Sequence, residues 1–376
     1  MTALAVAFWA SAGLIVHTHV TYPLSLAVLT RFRRSSRPAP ASTAEPPLVS
    51  LIIAAHNEEK VIEARVSNAF GAEYPRELLE VIVASDGSED RTVELARGAG
   101  ADNVLDLPRC GKVEVKNAAV TAARGDVLAF SDANSMWKPD ALSKLVDALA
   151  DPSVGYVCGQ VDLIGPQGTN QESAYWRYEM AVRSLESRLG GVTAGNGAIY
   201  AVRRDSYVVM PSDRSHDLCL PFLAVKGGRR ALYVPEARAE EPVAPSLGGE
   251  WQRKRRMMNR AWGILLRDSI LSPRGYGAAY AYEILSHRAL RYATPFLHLV
   301  ALGANIALLG EGAIYVATLA AQVALLAGAA LARIVPILPF RLCAYYVTVT
   351  ASIAAGLADR IRNGPVTSWE PVDGTR

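Results

Sequence analysis

The chain opens on an apolar run. From Leu4 to Thr30 it is nearly uncharged, which is long enough for a helix to cross the roughly 30 Å hydrocarbon core of a bilayer. Arg31, Arg33 and Arg34 follow at once. A cleavable signal peptide carries its positive charges ahead of the apolar stretch, so this order predicts a retained helix with its amino end outside. A second apolar block, Thr294 to Ala358, divides at Gly310 to Gly312 and at Pro336 to Pro339 into three candidate spans. Four spans would leave the carboxyl end outside, whereas Arg360 and Arg362 favour the inside. One segment is therefore expected to be re-entrant or interfacial, and the stretch after Pro336 is the weakest span. Just before the block, Tyr276 to Tyr292 mixes aromatic, Arg and apolar residues as a helix lying in the interface does.

Between the two blocks the pattern changes to short apolar runs separated by helical stretches, which predicts a doubly wound α/β domain with a mostly parallel sheet. Val49 to Ala55 and Glu80 to Ala84 are continuously apolar in their centres, as strands covered on both faces require. The expected division is a membrane helix at 1–31, a Pro-, Ala- and Ser-rich linker at 32–47, a soluble domain at 48–268, interfacial helices at 269–292, about three membrane helices at 293–360 and a tail at 361–376.

Composition changes this picture little. Of 376 residues 51% are hydrophobic, and the formal net charge of +3 gives no broad basic face for a nucleic acid. The arginines gather beside the apolar blocks, at Arg31 to Arg37 and Arg253 to Arg260, which points to membrane lipid. Cys110, Cys158, Cys219 and Cys343 lack the spacing of a zinc site or a disulfide framework. A reducing compartment fits.

Polar clusters close the apolar strands: Ala55-His56-Asn57-Glu58-Glu59, Ser85-Asp86-Gly87-Ser88 and Ser131-Asp132-Ala133-Asn134. In an open α/β sheet, ligands bind beyond the carboxyl ends of the strands, so the three clusters are expected to meet in one crevice. Alone, Asp86-Gly87-Ser88 reads as a turn and helix cap, and Asp132 as a cap before Pro139 to Leu149. Taken in order with Gly111-Lys112, Ser215-His216-Asp217-Leu218 and Trp251-Gln252-Arg253-Lys254-Arg255-Arg256, the series resembles family 2 of the inverting glycosyltransferases, over roughly Pro47 to Trp262. Cellulose, hyaluronan and poly-N-acetylglucosamine synthases belong to that family, whose catalytic domain has the GT-A fold.

The resemblance implies a site. Asp86 would accept from the nucleobase of a uridine diphosphate sugar, with Glu58 near the nucleotide and Lys112 and Arg255 near the phosphates. Asp132 and Asn134 would hold Mg2+ or Mn2+, Asn134 standing where a second Asp is commoner. Asp217 would be the general base on the acceptor hydroxyl. Gly195, Asn196, Gly197, His216, Gln252 and Trp262 would line the acceptor site, Arg256 having replaced the family's Trp. His216 reads equally well as a helix-terminal bystander, and Lys116 as an exposed surface lysine. The partners implied are a nucleotide sugar, a saccharide or lipid-linked acceptor and membrane lipid, with the soluble domain on the cytoplasmic face of the plasma membrane. Four spans are few for a polymer channel, so an oligomer would help a processive enzyme. The rivals are single transfer to a membrane-proximal acceptor and a non-catalytic membrane partner that has kept the fold.

Overall fold

The computed structural model describes residues 3–32, 45–165, 174–242, 247–335 and 337–367. Eight strands form one sheet: β1 (Val49–Ala55), β2 (Leu79–Asp86), β3 (Asn103–Leu107), β4 (Val127–Asp132), β5 (Met136–Trp137), β6 (Val154–Ile164), β7 (Tyr200–Arg203) and β8 (Arg230–Pro242). Their order is β3-β2-β1-β4-β7-β6-β8-β5. The half β3-β2-β1-β4 is parallel, β7 runs antiparallel to both β4 and β6, β8 is parallel to β6, and β5 closes the edge antiparallel to β8.

The helices are α1 (Ala3–Val16), α2 (Tyr22–Phe32), α3 (Ile62–Phe70), α4 (Thr92–Gly98), α5 (Lys112–Ala122), α6 (Ala141–Leu149), α7 (Ala174–Leu189), α8 (His216–Lys226), α9 (Leu247–Arg267), α10 (Ala278–Glu283), α11 (Leu290–Ala307), α12 (Ala313–Leu331) and α13 (Leu338–Asn363). Every residue of β1 and β2 is buried. The pleat sends Ile52 and Ala54 into one apolar core and Leu51 and Ile53 into the other, so a sheet covered on both sides accounts for the unbroken apolar runs. The expected strand Val49 to Ala55 is β1 residue for residue, while β2 and β4 each run on into the acidic residue that ends them.

Among the described residues, three helices are long and apolar enough to cross a membrane: Ala3–Phe32, which joins α1 and α2 through a π-turn, Ala313–Leu331 and Leu338–Asn363. The stretch after Pro336, expected to be the weakest span, is thus among the three, and the expected span that is not is α11, which packs antiparallel to α1, with Ala5 and Phe8 against Ala301, Ala304 and Leu308. α13 starts beside the end of α12, where Gly328 faces Cys343, and finishes on the soluble domain, where Arg360 pairs with Asp213 at 3.0 Å. Gly356 permits α13 to lie directly against α9, since a Cβ there would sit 2.5 Å from the Met258 Cβ. The carboxyl end of α13 is therefore on the domain's side of the helices. That removes the conflict posed by Arg360 and Arg362. Of the expected linker, residues 33–44 lie outside the described residues, with Arg33, Arg34 and Arg37.

Between helices and domain lies a buried polar seam. Tyr22 donates to Glu186 Oε1 at 2.6 Å, and His287 Nδ1 lies 2.5 Å from the same oxygen. Buried charges persist when they are paired and hydrogen-bonded, so this seam fixes how α2 and the π-turn at 284–289 seat on α7.

Candidate active site

Strand order reverses around β1, with β2 on one side and β4 on the other, so the loops that leave their carboxyl ends diverge and open a crevice. Three of the expected acidic residues gather there. Asp86 ends β2 fully buried, and its Oδ1 accepts the backbone N–H groups of Cys110 and Gly111 at 2.7 and 2.8 Å. Gly111 makes this loop possible through φ +95°, a left-handed value that side chains resist. Among the described residues Asp86 Oδ2 is buried without a hydrogen-bond partner, and Arg109 Nε lies 3.8 Å from it. Glu58, 1% exposed, sits beside this loop system, its backbone N–H held by Thr92 Oγ1 at 2.7 Å.

Asp132 ends β4, and Lys112 at the start of α5 places its Nζ 2.6 Å from Asp132 Oδ1. Gly197 faces the same carboxylate: a Cβ there would lie 3.5 Å from Asp132 Oδ2 and 4.0 Å from Lys112 Nζ, so glycine leaves room beside both charges. Asn134 stands two residues on, in the turn before β5. Asp217 lies in the first turn of α8, and its carbonyl accepts the Gly195 N–H at 2.7 Å, which ties the base candidate to the Gly195-Asn196-Gly197 strip. Asn196 braces that strip with its side chain, donating to the Gly159 carbonyl at 2.8 Å and accepting from Ile199 N–H at 2.9 Å.

Three expected residues, Arg255, Trp262 and His216, are engaged by other protein groups. Arg255 forms a two-pronged ion pair with Asp359 of α13, so its fork is spent on holding two helices together and not on a phosphate. Trp262 is buried, donates from Nε1 to the Ile353 carbonyl at 2.8 Å and packs on Tyr292 and Phe296, which removes its face from any sugar. His216 is buried, with Nδ1 2.8 Å from the Tyr200 hydroxyl and Nε2 3.4 Å from that of Tyr207, leaving no ring nitrogen for an acceptor. Burial, together with the charges of Lys116 and Lys112, pushes its pKa well below the ordinary value and keeps it neutral. Gln252 is exposed on α9.

Three further charged residues lie near these carboxylates. Lys116, one helical turn beyond Lys112, is 3% exposed and not a surface lysine: its Nζ donates to Tyr200 at 3.1 Å and lies over the Phe130 and Tyr200 rings. Burial and the charge of Lys112 pull its pKa down to about 7, against the opposing pull of Asp132 and Asp217. The i, i+4 spacing of two lysines was the available signal. Arg260, largely buried, feels the charge of Asp217. Glu241 on β8 feels Asp132, and burial with that charge pushes its carboxyl pKa up. Nothing local in the sequence marks either.

Residues 50–208 match the model of glycosyl transferase family 2. An N-acetylglucosaminyltransferase of Rhizobium meliloti is 30% identical over 237 residues, covering 55% of each chain. A poly-beta-1,6-N-acetyl-D-glucosamine synthase of Staphylococcus aureus is 26% identical over 233 residues, 58% of this chain and 56% of that one. The chain spans about half the length of the curated relatives it matches. A solved structure of a mannosyltransferase from Pyrobaculum calidifontis, in complex with GDP-Man and Mn2+, superposes with a TM-score of 0.73 over 96% of this chain and 98% of that one, at 22% identity. The likeness in fold therefore runs through the membrane helices as well as the sheet. The crevice at the ends of β1, β2 and β4 thus lies in the segment, residues 50–208, that matches the model of glycosyl transferase family 2.

Proposed function

We propose that the chain transfers a sugar from a nucleoside diphosphate sugar to a saccharide acceptor at a membrane surface, in one inverting displacement. The observation that carries this reading is the convergence of Asp86, Asp132 and Asp217, far apart in sequence, on one crevice with Lys112 between the first two. An N-acetylhexosamine is the sugar favoured by the names of the curated relatives, and uridine diphosphate is the carrier that the resemblance in motifs implies. Asp86 Oδ2, buried and without a partner, accepts the imide N–H of the base. Lys112 meets the phosphates as a point charge. Asp217 takes the acceptor's hydroxyl proton as the hydroxyl attacks the anomeric carbon from the face opposite the leaving diphosphate.

The donor set fits a hard divalent cation. Asp132 and Asn134 offer oxygens, and Gly197 keeps the space beside Asp132 Oδ2 clear. Mg2+ or Mn2+ bound there would act as a Lewis acid that offsets charge on the departing diphosphate. Mn2+ is supported by its presence in the mannosyltransferase complex of like fold.

Arg31 after the first span favours the cytoplasmic side for the soluble domain, where nucleotide sugars are made. The three long apolar helices among the described residues are few for a polymer channel, which favours transfer of one sugar to a lipid-linked or membrane-proximal acceptor over polymerisation by a lone chain.

The test is nucleotide release by the purified full chain in lipid nanodiscs, across a panel of uridine and guanosine diphosphate sugars with Mn2+. Release by wild type and none by Asp132→Ala supports the reading. Equal release by both, or none by wild type with any donor, overturns it in favour of a partner protein that has kept the fold. Product length then separates a ladder from a single addition.

A further inference from the structure

We infer that Glu241 supplies the second negative charge of the cation site, the one that Asn134 does not. This rests on the donor-site reading above.

The charge balance poses the problem. Lys112 Nζ at 2.6 Å already meets the single charge of Asp132, and Asn134 is neutral. A dication entering between Asp132 and Asn134 would therefore face a local charge near zero, and the diphosphate would have to supply all the attraction.

The sheet brings one more carboxylate to this place. β5 and β8 pair antiparallel, Met136 opposite Glu240 and Trp137 opposite Ala239, which carries the ladder's next position, Ser135, to Glu241. The Ser135 hydroxyl donates to Glu241 Oε1, and the Ser135 N–H donates to the Asp132 carbonyl at 3.2 Å. One serine thus holds the Asp132–Ser135 turn to the end of β8. Glu241 Oε2 takes no hydrogen bond from the described residues, which leaves one oxygen of the carboxylate available. The charge of Asp132 reaches Glu241, as do those of Lys112 and Arg253. Glu241 adds a negative charge beside that of Asp132 and brings the oxygen donors to three side chains, a set suited to a hard cation that also keeps phosphate oxygens. The neutral Asn134 and the acidic Glu241 are then two halves of one arrangement.

The experiment measures Mn2+ binding by electron paramagnetic resonance on the full chain in nanodiscs with uridine diphosphate present, so that turnover plays no part. Glu241→Gln is expected to weaken Mn2+ binding by about 10- to 100-fold, the usual cost of losing a close supporting group. Asn134→Asp in the same chain is expected to restore most of that loss, and alone to tighten binding. Thermal melting of each variant shows that it is folded. A folded Glu241→Gln that binds Mn2+ as wild type does, or an Asn134→Asp/Glu241→Gln double variant with no recovery, overturns the inference while leaving the donor site standing. Wild type that binds neither Mn2+ nor the nucleotide overturns both.

Discussion

Lys112 and Asp132 face each other across the crevice at 2.6 Å, each side chain about one-fifth exposed, so the lysine meets the same carboxylate that a cation brought with the donor would share. A charge-assisted contact in a half-buried place is worth about 1.5–3 kcal/mol.

Lys112→Ala is accordingly expected to raise the donor KM by about 10- to 100-fold, with a smaller change in kcat. Lys112→Arg, which keeps the charge and alters its reach, should fall between the two. Initial rates across donor concentration check this. An unchanged KM in Lys112→Ala would take the lysine out of the phosphate site.

The two arginines of α9 that differ by five positions should behave in opposite ways. Arg255 is 45% exposed and engaged with Asp359, so Arg255→Ala is expected to leave donor KM within about twofold and cost under about 1 kcal/mol in stability. Arg260 is largely buried, feels Asp217 and donates to the Val366 carbonyl at 3.0 Å. Arg260→Ala is expected to lower kcat/KM by about tenfold or more, because a charge held near the base is lost. Steady-state kinetics on both variants decide between them; a kinetic defect confined to Arg255→Ala would reverse the assignment.

What the sequence made legible was whatever is local. β1 could be read from its apolar run, and Asp86, Asp132 and Asp217 from motifs that begin where strands stop or a helix starts. What escaped depends on partners far along the chain. Arg255 is claimed by Asp359 and Trp262 by Ile353, each about ninety residues or more away, because α13 returns to lie on α9. Lys116 gave no local sign of burial, since its aromatic cover comes from β4 and β7. Glu241 enters the site only through the β5–β8 pairing. His216 looked like a polar residue beside the base because helix periodicity, and not adjacency, decides that it points inward while Asp217 does not.

Trp262 gives a test that separates packing from substrate contact. Buried, with its Nε1 bound to a carbonyl, it should cost about 3–5 kcal/mol when changed to Ala. Trp262→Phe keeps most of the apolar contact and forfeits the hydrogen bond, for about 1 kcal/mol. Thermal melting should order the three proteins in that way, while acceptor KM in Trp262→Phe stays at the wild-type value. A large rise in acceptor KM without loss of stability would restore the tryptophan to the acceptor site.

Lys116 sets stability against function. Its pKa falls from 10.5 to about 7 on folding, chiefly through burial. The unfolded chain therefore binds a proton that the folded chain lacks between these values, so this group's contribution is undiminished above about pH 10.5, declines as pH falls towards 7, and levels off below. The slope is at most about 1.4 kcal/mol per pH unit. Lys116→Met fills similar volume without the charge and should melt higher than wild type near pH 7, with a flatter dependence between pH 7 and 9. Its Nζ also donates into a chain through Tyr200 to His216, beneath Asp132 and Asp217, so the same variant should lose kcat and lose any activity step near pH 7. A variant that is more stable yet as active as wild type, with the same pH profile, would show that the buried ammonium serves neither carboxylate.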